Sequence, residues 1–543
     1  PGWMGWPGWL RWTVQQQSLC DTKATERPKK CARTRHDHKQ EEQIGSQCSC
    51  CFFIDEADDS SQELDSVSPS YDRMESDEVE QTAEDSQHQM SGSVTGIRDR
   101  TLWNFIFMSV LFSANHASVV ACLSLATSRL GETGAWQSGI LYLTYTGSAV
   151  LGATWIVKKL GGRDGMIAGM LLYCAYVGCF WLISVYPSYD RVAAYTGAAI
   201  GGIGAGFLWT AQGAYFTKAA EVYAAEKNQD ISISTSYLAG LFAFVYLSEE
   251  VIFKSLSSLL LEFYMVGWPA IFALYALLTL ASTAAMIFVH KYPEERANNE
   301  TSGWYKVTAA WQLLRTDPNM PYMIGLNAAF GFTSSFLNSY VNAEVVRVVL
   351  KDEKSEYVGY LAAWVSIVAA TMSLLFGKYT EKIGSGQILC LGAVCFSLVS
   401  LPFVVQPDLN KWNAFALITV YTFHGTGRAT FEGTLKAVFA DYFSYEKEGA
   451  FANIILQNGL TSSIGYFLTF GLKCSQPSRR CAVYHDGSFH DVLTFELLAG
   501  VSCVLGILGL WRASTLHKRS LVVDTEVAED RAELIEHPGG EIS

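Results

Sequence analysis

Between Thr101 and Trp511 the chain repeats one pattern, an apolar run of about twenty residues followed by a short polar gap. At 1.5 Å per residue, a helix needs about twenty apolar residues to cross a ~30 Å hydrocarbon core. The pattern therefore predicts transmembrane helices near 101–126, 136–157, 166–185, 192–217, 233–261, 267–290, 320–345, 357–377, 385–406, 412–440, 449–473 and 491–512. The longest inner gap, Lys291 to Asp317, is polar and divides these twelve into six and six. Inside it, Val307 to Leu314 has the spacing of a short amphipathic helix resting on the membrane surface. The expected organisation is an all-α membrane protein. It has an N-terminal tail over 1–97, a six-helix half over 98–290, a central loop over 291–319, a second half over 320–512 and a tail over 513–543.

Charge refines this picture in three places. Only 17% of the 543 residues are charged, against about a quarter in soluble domains. The net charge of −13 is mostly local, because Asp55 to Asp85 holds thirteen acids and one base, Arg73. Low hydrophobicity and like charge predict disorder for 55–85 and for the tail around it, and call for no nucleic acid as partner. With the N-terminus cytoplasmic, the inner loops collect seventeen Lys and Arg and the outer loops nine, which predicts both termini inside. The sequon Asn299-Glu-Thr301 then lies in the inner loop and is expected to carry no glycan. Cys48, Cys50 and Cys51 are candidates for an acylated anchor. Cys474 and Cys481 share one outer loop, seven residues apart with Pro477 turning the chain, and are expected to form a disulfide.

Ionisable groups inside a span cost about 2.5–3.5 kcal/mol on insertion scales when they face lipid, so they should face a cavity or one another. The tenth span carries His424, Arg428, Glu432 and Lys436, four apart, in one stripe ~18 Å long. Glu432 is placed to bridge both flanking cations. The stripe reads either as an ion-paired seam or as a wall of a central pathway. On the fifth span, Glu250 and Lys254 are spaced to pair, which leaves Glu249 alone as a candidate proton or cation carrier. The seventh span aligns Asn327, Gly331, Ser335, Asn338 and Asn342. The eleventh aligns Asn453, Gln457, Thr461 and Gly465. Such amides ligand solutes and also join helices. Asn115 and His116 interrupt the first span, and the histidine reads as a packing residue. The glycines of the fourth span, among them Gly202 and Gly206, follow no strand, so they predict close helix packing and not a nucleotide loop. Metalloprotease, nucleophile-elbow and P-loop motifs are all missing from the sequence. No enzyme, metal or cofactor is expected.

Two stretches carry a resemblance. After the eighth span, Gly377, Glu381, Lys382 and Gly384 reproduce a loop of the major facilitator superfamily (Gly, three residues, an acid, a base, any residue, Gly). After the second span, Lys158 stands where that acid would be. Gly201 to Thr217 resembles the fourth-span signature of the uncoordinated-93 family, the ion channel regulatory proteins of that superfamily. The matching positions are Gly204, Gly206, Leu208, Trp209 and Gln212, and Glu448 to Asn453 matches the entry to the eleventh span. The tenth span departs from the family at Phe431 and Thr434, and Arg428 and Glu432 are distinctive. The resemblance implies a fold of two six-helix halves and ties to channel regulation, ion homeostasis or receptor chaperoning. Two functions follow as expectations. One is a transporter-like protein that moves or governs a small cation or a proton-coupled solute. The other is a partner that escorts or regulates an ion channel or receptor.

Overall fold

The computed structural model describes residues 100–293, 303–476, 478, 480–484 and 487–536. The 1–97 tail with its acidic stretch, the Cys48, Cys50 and Cys51 group and the Asn299 sequon lie outside these residues. The first half contains α1 (Arg100–Leu130), α2 (Glu132–Leu151), α3 (Ala153–Val185), α4 (Asp190–Lys227), α5 (Ile231–Tyr264) and α6 (Trp268–Ala285). A surface helix, α7 (Gly303–Thr316), follows. The second half opens with α8 (Met320–Phe336), which runs through a π-helical stretch, Leu337–Val345, into α9 (Val346–Leu350). It continues with α10 (Val358–Ile383), α11 (Ser385–Val405) and α12 (Ala414–Ala429). A second π stretch, Thr430–Leu435, joins α12 to α13 (Lys436–Tyr442). Helix α14 (Lys447–Gly471), a hairpin of β1 (Cys481–Val483) and β2 (Phe489–Asp491), and α15 (Val492–Glu536) complete the chain.

Local chemistry sets several of these ends. Pro269 and Pro321 sit in the first turns of α6 and α8, where a missing N–H costs nothing. The Asn413 side chain accepts from the Ala416 amide at 2.9 Å and caps α12. Glu446 does the same for Gly449 at the head of α14. The internal repeat is visible in the backbone. Gly161 and Gly384 follow equivalent helices and take φ of 86° and 89°, a region open to glycine and strained for other residues.

Eight helical segments among the described residues are long and apolar enough to cross a membrane. They lie in α1, α3, α4, α5, α6, α10, α11 and α15. The other expected spans are α2, the two rods broken by π turns and α14. These carry the Thr, Ser, Asn, Gln and charged residues, so their hydropathy is low for the same reason that they face protein.

The structure shifts three boundaries. The expected second span, 136–157, breaks at Gly152, and the next two turns belong to α3 up to the bend at Gly161. The surface helix extends beyond 307–314 at both ends. The tail expected to be irregular from 513 is helical to Glu536. Residues 512–536 lack proline and glycine and are rich in Ala, Leu, Glu and Arg, so propensity alone favours continuation until Pro538.

Candidate functional site

The fifth and tenth spans meet in a four-charge cluster between the two halves. Glu250, on α5, is 0% exposed. Arg428, on α12 and 12% exposed, donates from Nη1 and Nη2 to its two oxygens at 2.7 and 3.0 Å. This fork-to-fork geometry is the strong form of a charge-assisted bond. Lys254, one turn along α5, also bonds Glu250 Oε1. Ser366 of α10 ties the group together, donating to Glu250 at 2.9 Å and accepting from Lys254 at 3.1 Å. Arg428 Nε reaches Glu432 at 2.7 Å, and Glu432 is 35% exposed. Glu250 is thus the shared acid, and Glu432 marks the wetter end.

The tenth-span stripe is therefore divided. Glu432 bonds Arg428 but does not bridge to Lys436, for which no hydrogen bond or ion pair is found among the described residues. The π stretch Thr430–Leu435 widens the turn between them, so i,i+4 side chains no longer stack as they do in an α-helix. His424 leaves the stripe at the other end. Its Nε2 meets Ser334 Oγ at 3.2 Å, and its Nδ1 is buried without a partner. Glu249 stays apart from the cluster, and its Oε2 is buried without a hydrogen bond.

The first half contributes an aromatic wall. His116 sits among Phe112, Tyr173, Trp209 and Tyr246, with ring centroids 5.2 to 6.1 Å from its own. It lies within electrostatic range of Glu250, Arg428 and Lys254. Trp209 of the signature thus faces the site. Gly204, Gly206 and Leu208 serve packing, and Gln212 is buried beside them. A β-carbon on Gly206 would lie 2.2 Å from Ser148 Oγ on α2.

The amide residues separate into two groups, neither on the charge cluster. Asn342 donates to Ser124 O of α1 at 2.9 Å and accepts from Tyr421, while Asn338 bonds back to Ser334 O. Asn453 donates to Ala310 O of α7, and Gln457 accepts from Asn327 at 2.8 Å. These act as joints between helices. The π stretch in the seventh span rotates Asn338 and Asn342 away from the face that holds Asn327.

Hydrogen bonds between the halves crowd toward one end of the bundle. Beyond the Glu250 level they run from Ser355 to Ser128 O, Arg129 to Lys354 O, the Tyr360 amide to Ser258 Oγ, and Ser463 to Gly139 O. The Cys474–Cys481 disulfide closes the loop beside the β-hairpin, with its Cα atoms 6.3 Å apart. There Asp491 accepts from Arg480 at 2.6 Å and from the Thr494 amide at 3.0 Å. Partial burial pushes its acidity the other way, but these donors hold the carboxyl below the usual aspartate range.

Ser366 gave little signal in the sequence, being one serine in the apolar run Leu361 to Ala370. The Glu250–Arg428 pairing joins positions 178 apart, which spacing cannot reveal.

The comparisons agree with this architecture. The Major Facilitator Superfamily profile matches residues 236–466. Protein unc-93 homolog A of Mus musculus is 23% identical over 416 residues, covering 69% of this chain and 87% of that protein. UNC93-like protein 3 of Arabidopsis thaliana is 22% identical over 377 residues, covering 67% and 79%. Among solved structures, a nucleoside transporter superposes with a TM-score of 0.57 at 12% identity, covering 76% of this chain and 99% of that one. A D-xylose-proton symporter gives 0.55 at 16%, covering 76% and 97%. The helical fold, its structural neighbours and the matched profile agree on a multi-pass membrane fold similar to that of the major facilitator superfamily. Over about two thirds of its length the chain is similar to the UNC93-like proteins.

Proposed function

We propose that this protein carries a small solute across a membrane by alternating access, coupled to proton movement. A single observation carries the reading. A fully buried acid of the first half, Glu250, is gripped by both terminal nitrogens of an arginine of the second half, Arg428, at mid-bundle. A charge pair between two halves costs desolvation and is poor cement. It does make a contact that a proton or solute can open.

In this reading all twelve helical rods span the bilayer, in halves over 98–290 and 320–512. The termini and the 291–319 loop are cytoplasmic, and the sealed end bearing Leu130 and Lys351 faces outward. The protein is thereby held closed to the outside. Glu249, an acid with one buried unpartnered oxygen, serves as the proton carrier.

Purified full-length protein in liposomes, with a pH dye inside, tests this. Adding a panel of solutes should acidify the lumen with one solute class, and Glu249→Gln should abolish the response while leaving a folded, monodisperse protein. Folded wild type that moves no protons with any solute would favour the other reading, a regulatory partner of a channel or receptor.

A further inference from the structure

A groove opens between the first turns of α2 and α4, at the end of the bundle that carries Leu130. It encloses about 340 Å³ and is lined by Glu132, Thr133, Trp136 and Ile140 of α2 and by Arg191 and Tyr195 of α4. That volume falls within the range of about 300–1,000 Å³ typical of small-molecule sites.

The groove holds one acid and one base that do not meet. No hydrogen bond or ion pair of the Glu132 carboxylate or the Arg191 guanidinium is found among the described residues. The neighbouring Asp190 is turned to the backbone, its Oδ1 accepting from the Arg191 amide at 2.6 Å. Arg191 stands in the first turn of α4, where the helix dipole favours an anion and not a cation. An anion placed against Arg191 gains from both. Glu132 calls for the opposite charge, and it shares its groove with Trp136 and Tyr195, whose ring faces attract cations. The two charges cancel, so a molecule that carries both signs fits the groove better than a net ion does.

Two further observations place that molecule in the bilayer. Tyr186 and Tyr189, which lead into α4, are 53% and 59% exposed, as in the aromatic belt at a membrane surface. Further along the same helix faces the surface turns apolar. Leu143, one turn beyond Ile140 on α2, is 46% exposed, and Ile203, two turns beyond Tyr195 on α4, is 38% exposed. Hydrocarbon chains lying along these faces cover both.

We infer that the groove binds a phospholipid with a phosphocholine headgroup, drawn from the leaflet at the Leu130 end. Its phosphate sits on Arg191, its quaternary ammonium between Glu132 and Trp136, and its acyl chains along Leu143 and Ile203. Trp136 also meets Phe467 of the second half, with ring centroids 4.9 Å apart. The lipid therefore lies beside a contact between the halves. The site goes beyond the transport reading and serves a carrier and a regulatory partner alike.

Native mass spectrometry of the full chain, delipidated in detergent and titrated with one probe at a time, tests this. The probes are dioleoylphosphatidylcholine, dioleoylphosphatidylglycerol and free phosphocholine. The first phosphatidylcholine should bind about fivefold more tightly than the first phosphatidylglycerol, which has the same chains. Arg191→Gln and Glu132→Gln should each remove that preference, and Arg191→Lys should keep most of it. Both side chains are unpaired and accessible, so the variants should melt with the wild type. Equal affinity for the two lipids would overturn the inference. So would a phosphatidylcholine preference unchanged in both glutamine variants. Free phosphocholine binding as tightly as the whole lipid would overturn the assignment to the bilayer.

Discussion

At the scale of single residues, the burial of each charge ranks the consequences of removing it. Glu250 is fully buried and serves two cations, so Glu250→Gln strands Lys254 and weakens the hold on Arg428, at a cost of about 3–5 kcal/mol. Glu432 is partly solvated, and Glu432→Gln should cost about 1 kcal/mol or less. The Arg428→Met, Glu432→Gln double change leaves Glu250 and Lys254 as a closed neutral pair and should fold nearly as well as wild type. Thermal melting of the detergent-solubilised variants checks this order. Glu250→Gln melting as late as Glu432→Gln would contradict it. The pairing of Glu250 with Lys254 and of Arg428 with Glu432 was legible in the sequence because i,i+4 spacing on a helix is a local rule. The dominant bond, between Glu250 and Arg428, was not legible, since it depends on how two distant helices dock. Lys436 misled for a different reason: nothing in the residue string marks where an α-helix widens into a π turn.

At the scale of elements, helix position was legible and helix continuity was not. Hydropathy located nearly every rod, but Gly152 and the two π stretches break them by backbone geometry that apolar patterning does not encode. The small-residue signature on α4 did announce its role. Gly206→Ala would push a β-carbon to 2.2 Å from Ser148 Oγ and 2.7 Å from the Ala149 amide. Overpacking of this kind costs about 1–3 kcal/mol. Gly178→Ala, on α3, meets nothing within 4 Å and gains up to about 1 kcal/mol of helix propensity. The two melting temperatures should move in opposite directions. The hairpin carries its own pH signature. Because Asp491 titrates below its unfolded value, its contribution is fully present above about pH 4 and is lost as pH falls through the folded value. Hydrogen exchange of the 481–491 amides, compared between wild type and Asp491→Asn, should differ more at pH 6 than at pH 3. An equal difference at both values would remove Asp491 from the account.

At the scale of the whole molecule, hydrogen bonds from Ser355, Arg129, Tyr360 and Ser463 join the halves at one end. Ser128 and Ser355 stand there as hydrogen-bonded neighbours from opposite halves. Cysteines at both positions should crosslink under mild oxidation and arrest flux, with recovery on reduction. A crosslinked protein that still transports would show that this end does not need to open. The two flanks of the interface differ in kind. On one, α5 meets α10 and α12 through the charge cluster. On the other, α2 meets α14 through Trp136 on Phe467, Tyr142 on Tyr466 and the Ser463 bond to Gly139, with no ion pair among the described residues. Stacked rings slide over one another at little cost, while a desolvated ion pair separates abruptly. Under the proposed alternating access, the molecule would work like a door, with an oiled hinge along the aromatic flank and a bolt along the charged one. Its opening would start at a single edge, and anything that neutralises Glu250 works as the key.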